Sequence, residues 1–180
     1  MTDGSHAGRL VVATPDLVDP NFAHAVVLLL EHNEDGALGV VINQPSDVEV
    51  GTPLPGWERL AALPARIFVG GPVQQDGVVA LGEATDDRLF STTILPGLGV
   101  VDLEQDPVLA TVDLERVRLF AGYAGWSAGQ LESEIADGGW FVVDAESDDV
   151  FASHPDELWR TVLHRQGGVF ITVPDDPTLN

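Results

Sequence analysis

The stretch from Ala25 to Asn43 constrains the fold more than any other part of the chain. Ala25-Val26-Val27-Leu28-Leu29-Leu30-Glu31 and Ala37-Leu38-Gly39-Val40-Val41-Ile42-Asn43 are apolar at nearly every position and flank Asn33-Glu34-Asp35-Gly36. That linker is rich in residues that tolerate left-handed backbone, so the segment predicts a β-hairpin. Strands that do not alternate apolar with polar residues bury both faces. The hairpin therefore belongs inside a sheet that is covered on both sides. Its register sets Ala37 opposite His32 and Asn43 opposite Val26. At about 3.3 Å per residue, His32 and Asn43 then stand roughly 20 Å apart. They cannot share one small site, and Asn43 falls beside His24 and the Asn21-Phe22 loop.

Around the hairpin, strands are predicted at 9–13, 66–69, 78–82, 116–123, 140–144 and 169–173, with two short ones around Pro96-Gly97. Helices are expected near 57–63 and 128–137. The best periodicity in the chain is that of Leu158, Trp159, Val162 and Leu163, which share one helical face. Pro155 stands at the first turn of that helix and Gly167-Gly168 follow its end. Strands outnumber helices and do not alternate regularly with them, so the class is α/β in the α+β sense and a doubly wound sheet is disfavoured. With 180 residues and no linker or repeat, one domain over 9–174 is expected. A polar tail at 1–8 precedes it and an acidic tail at 175–180 follows.

Charge narrows the range of partners. The chain carries 29 acidic residues against eight arginines, for a net charge of −21, and has no lysine. Affinity for nucleic acid is dominated by cations meeting phosphates, and this sequence offers no basic stripe. Direct nucleic-acid binding is disfavoured. There is no cysteine, which removes disulfides, thiolate nucleophiles and cysteine-ligated zinc and fits a reducing compartment. No apolar run nears the roughly 18 residues a membrane helix requires, and Met1 to His6 do not read as a secretory signal. The expected location is cytoplasmic, without membrane contact.

The motif that invites a reaction is Gly125-Trp126-Ser127-Ala128-Gly129, which matches G-x-S-x-G, the nucleophile elbow of serine hydrolases. Asp144, Asp148, His154 and His164 follow it in an order that permits a triad. The same residues also start a helix. Ser127 and Gln130 have capping-box spacing, with Trp126 and Leu131 at the flanking apolar positions. The architectural reading is preferred, and a small hydrolase using Ser127 is the alternative. Glu31 and His32 could form an acid/base pair or half a metal site, but they also read as polar residues surfacing at a strand end. The histidines lack H-x-x-x-H or H-E-x-x-H spacing, so no metal and no cofactor is expected. Gly70-Gly71-Pro72 reads as a tight turn, since no lysine or helix start follows it as a P-loop would demand.

Taken in order, three segments resemble the AlgH/YqgE family of bacterial proteins. They are Glu31-His32-Asn33 through Gln44-Pro45, Gly70-Gly71-Pro72-Val73, and Gly122-Tyr123-Ala124-Gly125-Trp126 through Gly129-Gln130-Leu131-Glu132-Ser133-Glu134-Ile135. The resemblance implies mixed, branching β-sheets with a small barrel-like part, flanked by helices. It also implies a label of transcriptional regulator, with no reaction or ligand attached. Gln44 stands where the family often has a basic residue. The function expected is that of a non-enzymatic regulatory or binding protein with a protein or small-molecule partner. The candidate binding residues are Tyr123, Trp126, Gln130 and Glu132 at a strand-to-helix junction, together with Asn43.

Overall fold

A computed structural model describes residues 4–17 and 19–174. Among the described residues there are ten strands: β1 Arg9–Ala13, β2 Val26–Asn33, β3 Gly36–Val41, β4 Pro45–Glu49, β5 Arg66–Val69, β6 Val73–Ala84, β7 Thr92–Leu95, β8 Leu98–Val101, β9 Leu114–Ser127 and β10 Trp140–Asp144. The α-helices are short: α1 Pro107–Ala110, α2 Gln130–Ala136, α3 Ser147–Val150 and α4 Leu158–Gln166. The strands follow the path β10-β1-β2-β3-β9-β6-β8-β7, with β5 branching from β9 and β4 lying on β5. Every pairing is antiparallel except β5 with β9, which is parallel.

The long strand β9 makes the branch. Its C-terminal end pairs with β3, from Gly39↔Ala124 to Gly36↔Ser127, while Leu114 to Tyr123 pair with β6, irregularly at the Tyr123 end. The change of partner falls between Tyr123 and Ala124, just after Gly122, whose φ is 76° and whose missing Cβ would lie 2.5 Å from the Gly71 carbonyl oxygen. Gly70-Gly71-Pro72 is pressed against this same point. A Cβ on Gly71 would stand 2.1 Å from the Tyr123 carbonyl carbon. These glycines serve a close approach of two backbones, and the expected tight turn gives way to that.

The first sheet is covered on both faces, as its apolar strands require. Leu10, Val12, Val26, Leu28, Val40 and Ile42 pack with Leu158, Trp159, Val162 and Leu163 of α4. Their alternates Val11, Ala13, Val27, Leu29 and Val41 pack with Trp126, Trp140 and Leu131 of α2. The sheet curls enough for its two ends to touch. Trp126 on β9 and Trp140 on β10 meet edge to face at 5.9 Å between centroids. A third cluster, including Trp57, Ile67, Val117 and Leu119, fills the second sheet.

Several boundaries differ from expectation, each for a local reason. Ala37 does lie opposite His32, but a bulge at Leu30 shifts the rest of the hairpin by one. Val26 therefore faces Ile42, which donates to its carbonyl. The predicted helix near 57–63 is a 3-10 turn over Trp57–Arg59. Strand β9 does not end at Tyr123 but runs on through Ser127. The expected last strand, 169–173, is a 3-10 helix over Gly168–Thr172. Gly167 and Gly168 have φ values of 73° and 58° and turn the chain back, so that Phe170 sits edge-on against Phe141. The tail at 175–180 lies outside the described residues, as do residues 1–3 of the N-terminal tail.

Candidate functional site

The predicted surface residues do not form one patch. Tyr123 and Trp126 stand on opposite faces of β9. Tyr123 packs against the cluster that contains α4, whereas Trp126 is buried in the cluster that contains α2. Gln130 is tied down locally, since its Oε1 accepts from both the backbone N–H and the hydroxyl of Ser127, at 3.0 and 3.1 Å. Half of the expected capping box is thus present. The other half is not: Gly129, at φ 74°, is the N-cap and no side chain caps α2. Ser127 ends a strand and its proton goes to a carboxamide. A nucleophilic serine needs a base to take that proton.

Glu132 leads to a more deeply engaged group. Its Oε1 contacts His32 Nε2, and the His32 side chain is only 4% exposed. The other ring nitrogen, Nδ1, accepts from the His6 backbone N–H at 2.9 Å. His32 is therefore not a polar residue surfacing at a strand end. Both of its nitrogens are engaged, and the His6 ring stacks on it at 5.3 Å with an interplanar angle of 12°. Burial, reinforced by His32 and Arg9 and opposed by Glu132, holds the His6 imidazole below its ordinary value. Among the described residues, no group of three or more histidine and acidic side chains is arranged to hold a metal.

Asn43 lies elsewhere, beside His24 as the hairpin required. Its Oδ1 accepts from the Val26 N–H at 3.0 Å and its Nδ2 donates to the His24 carbonyl at 2.8 Å. Gln44 donates to the Asn21 carbonyl at 3.4 Å. These bonds hold His24 at φ 57°, a backbone conformation that side-chain-bearing residues adopt at a cost of about 1–2 kcal/mol. The His24 ring meets Trp159 edge-on at 4.8 Å, and Trp159 is fixed by its indole N–H donating to Ala13 at 2.8 Å. Together they form the wall of a cleft of about 620 Å³, lined also by Gln44, Asp156, Glu157, Arg160 and Thr161. That volume lies within the range of small-ligand sites.

The family model described as AlgH-like matches residues 10–170 of the chain. The chain belongs to the AlgH-like family. A Streptomyces coelicolor member, a UPF0301 protein, is 48% identical over 185 residues, which cover 98% of this chain and 96% of that one. A UPF0301 protein of Mycobacterium tuberculosis is 41% identical, covering 89% and 82%. A crystal structure of a Corynebacterium diphtheriae protein superposes with a TM-score of 0.87 at 34% identity, over 92% of this chain and 90% of that one. The solution structure of the AlgH protein from Pseudomonas aeruginosa gives 0.71 at 32% identity, over 97% and 96%. The branched sheet of this AlgH-like chain is thus the family's fold.

In this AlgH-like protein the arginines are dispersed. Arg9, Arg88, Arg116 and Arg165 each contact a carboxylate, and Arg118 is sealed in the core. The cleft residues from α4 could not be joined to Asn43 by sequence alone. The His24 geometry had a signal only in the Asn43 register. The His6–His32–Glu132 cluster had none, since its members are separated by 26 and 100 residues. Among the described residues, no helix is long and apolar enough to cross a membrane.

Proposed function

We propose that this AlgH-like chain is a non-enzymatic regulatory protein of the cytoplasm that binds a small polar molecule in the cleft between Asn43 and α4. The observation that carries this reading is the construction of the cleft around His24. A histidine is held in left-handed backbone by the Asn43 carboxamide and braced on Trp159. Strained positions that the surrounding structure enforces cluster at ligand sites. The lining offers an imidazole, a carboxamide, a hydroxyl and carboxylates over an aromatic floor. Such a mixture of donors, acceptors and an aromatic face orients a polar ligand. The Ser127 hydroxyl, donating to Gln130, and the doubly engaged His32 speak against the hydrolase alternative. Any regulatory role would run through ligand or protein contacts, because a net charge of −21 opposes a polyanion.

Titration of labelled protein with nucleotides, amino acids and sugar phosphates tests the proposal. At least one compound should shift the amide signals of His24, Gln44 and Thr161 saturably. Thr161→Trp, on the exposed wall, should abolish the shifts while leaving the melting temperature unchanged. No saturable shift at these positions, or a fluorophosphonate adduct on Ser127, would overturn the reading. So would retardation of duplex DNA in low-salt gel shifts.

A further inference from the structure

We propose that residues Ser5 to Gly8 form a strap over the His32–Glu132 pair that is closed at neutral pH and released by acid. The strap is tied at three points. The Ser5 hydroxyl donates to the His32 carbonyl at 3.0 Å, the His6 N–H to His32 Nδ1 at 2.9 Å, and the Gly8 N–H to the Leu29 carbonyl at 2.8 Å. The middle tie fixes the tautomer. A nitrogen that accepts carries no proton, so the single proton of the neutral His32 ring is on Nε2, facing Glu132. A second proton can only go to Nδ1. There it would confront the His6 N–H, two donors about 2.9 Å apart with no acceptor between them. The imidazolium and the middle tie exclude each other.

The neighbouring charges set the direction. Glu132 on α2 contacts Nε2, which carries an N–H in both the neutral and the protonated ring, so that contact survives protonation. Arg9 on β1 opposes positive charge on the His6 ring and is itself paired with Asp144 on β10 at 3.2 Å. Glu31 precedes His32 on the strand and projects to the other face. The His6 ring, stacked on His32, becomes a like-charged neighbour when both are protonated. Its own value lies below the ordinary 6.5, chiefly through burial. A depressed histidine value means that the closed strap is fully favoured above 6.5. That preference is lost as pH falls through the lower, folded-state value. Both histidines therefore push the same way: acid opens, neutrality closes. Opening exposes the His32 ring and detaches the chain ahead of β1 without breaking any strand pairing.

Amide hydrogen exchange read by NMR on the full chain tests the device. After correction for intrinsic rates, protection of the His6 amide should fall about tenfold or more between about pH 7.5 and about pH 5. The Leu28 and Val40 amides should hold. His32→Asn places a non-titrating acceptor near the Nδ1 position, and the pH dependence of His6 protection should shrink in it to the part that the His6 ring itself contributes. Nitrogen shifts of the His32 ring give a second readout that needs no variant: Nδ1 should be unprotonated at about pH 7.5. Flat protection across the range, the same fall in His32→Asn, or a proton on Nδ1 at neutral pH would each overturn the proposal.

Discussion

Arg118 shows how one side chain can hold a junction through carbonyl acceptors. It is 1% exposed, lies 4.3 Å over the Phe68 ring and, among the described residues, makes no ion pair with a carboxylate. Its guanidinium donates instead to three carbonyls, those of Val150 at 3.1 Å, Ala152 at 2.9 Å and Leu63 at 2.7 Å. Burial, with Arg116 nearby, pulls its pKa down to about 10, so it stays charged at neutral pH. The fork of donors joins the end of α3 and the residues just after it to the segment before β5. Arg118→Met should therefore leave three acceptors without their donor and cost about 2–4 kcal/mol, after the relief of the buried charge is offset. Arg118→Lys should cost nearly as much, because one ammonium cannot span acceptors on both segments. Urea denaturation measures both, and a Met variant as stable as the parent would remove the role. The sequence marks Arg116 and Arg118 as neighbours on one strand face by their spacing. It does not say which one is sealed in, since that depends on chain 32 residues further on.

At the scale of elements, the hairpin is legible in the sequence because its pattern admits one solution. Two unbroken apolar strands joined by Asn-Glu-Asp-Gly must pair and must be covered twice. The bulge at Leu30 is not legible, because an extra apolar residue in an apolar run leaves no mark. Strand β9 outruns its expected end because Gly122 and Gly125 look like punctuation, whereas the strand runs through both and changes sheets just after Gly122, between Tyr123 and Ala124. The segment 169–173 has the β-branched content of a strand but is turned back by two left-handed glycines. Of the candidate site, the placement of Asn43 beside His24 follows from the hairpin. The His32 contacts require chain-distant partners and do not. The crossing at Gly71 yields a prediction of its own. Gly71→Ala would put a methyl 2.1 Å from the Tyr123 backbone, which cannot yield without parting the β5–β6 connection from β9. It should cost about 3 kcal/mol, the upper end of the usual range for overpacking, or leave no folded protein. Gly77→Ala, where the nearest atom would be 3.5 Å away, is the control and should be close to neutral. Thermal melts of the pair decide it, and equal melting temperatures would show that the crossing is not tight.

For the whole molecule, the dominant feature of the charge distribution is its imbalance, a net −21. Eight arginines face 29 acids, and four of those arginines are already set against carboxylates. Most of the acids therefore repel one another across the surface, and a compact state holds them closer than an unfolded one does. Added sodium chloride shortens the screening length from about 30 Å at 0.01 M to about 10 Å at 0.1 M, which relieves long-range repulsion first. The partly buried contacts of Arg116 and Arg165 act over about 3 Å and are screened much less. Two opposing effects of salt are thus separated by range, and the repulsive one has more members. The melting temperature should rise over that interval by about 2–4 °C, which for a chain of this length corresponds to about 1 kcal/mol. A scan at constant pH well above the carboxylate range measures it. A flat or falling trend would mean that the short ion pairs outweigh the diffuse field, and that the acidic surface is neutralised locally.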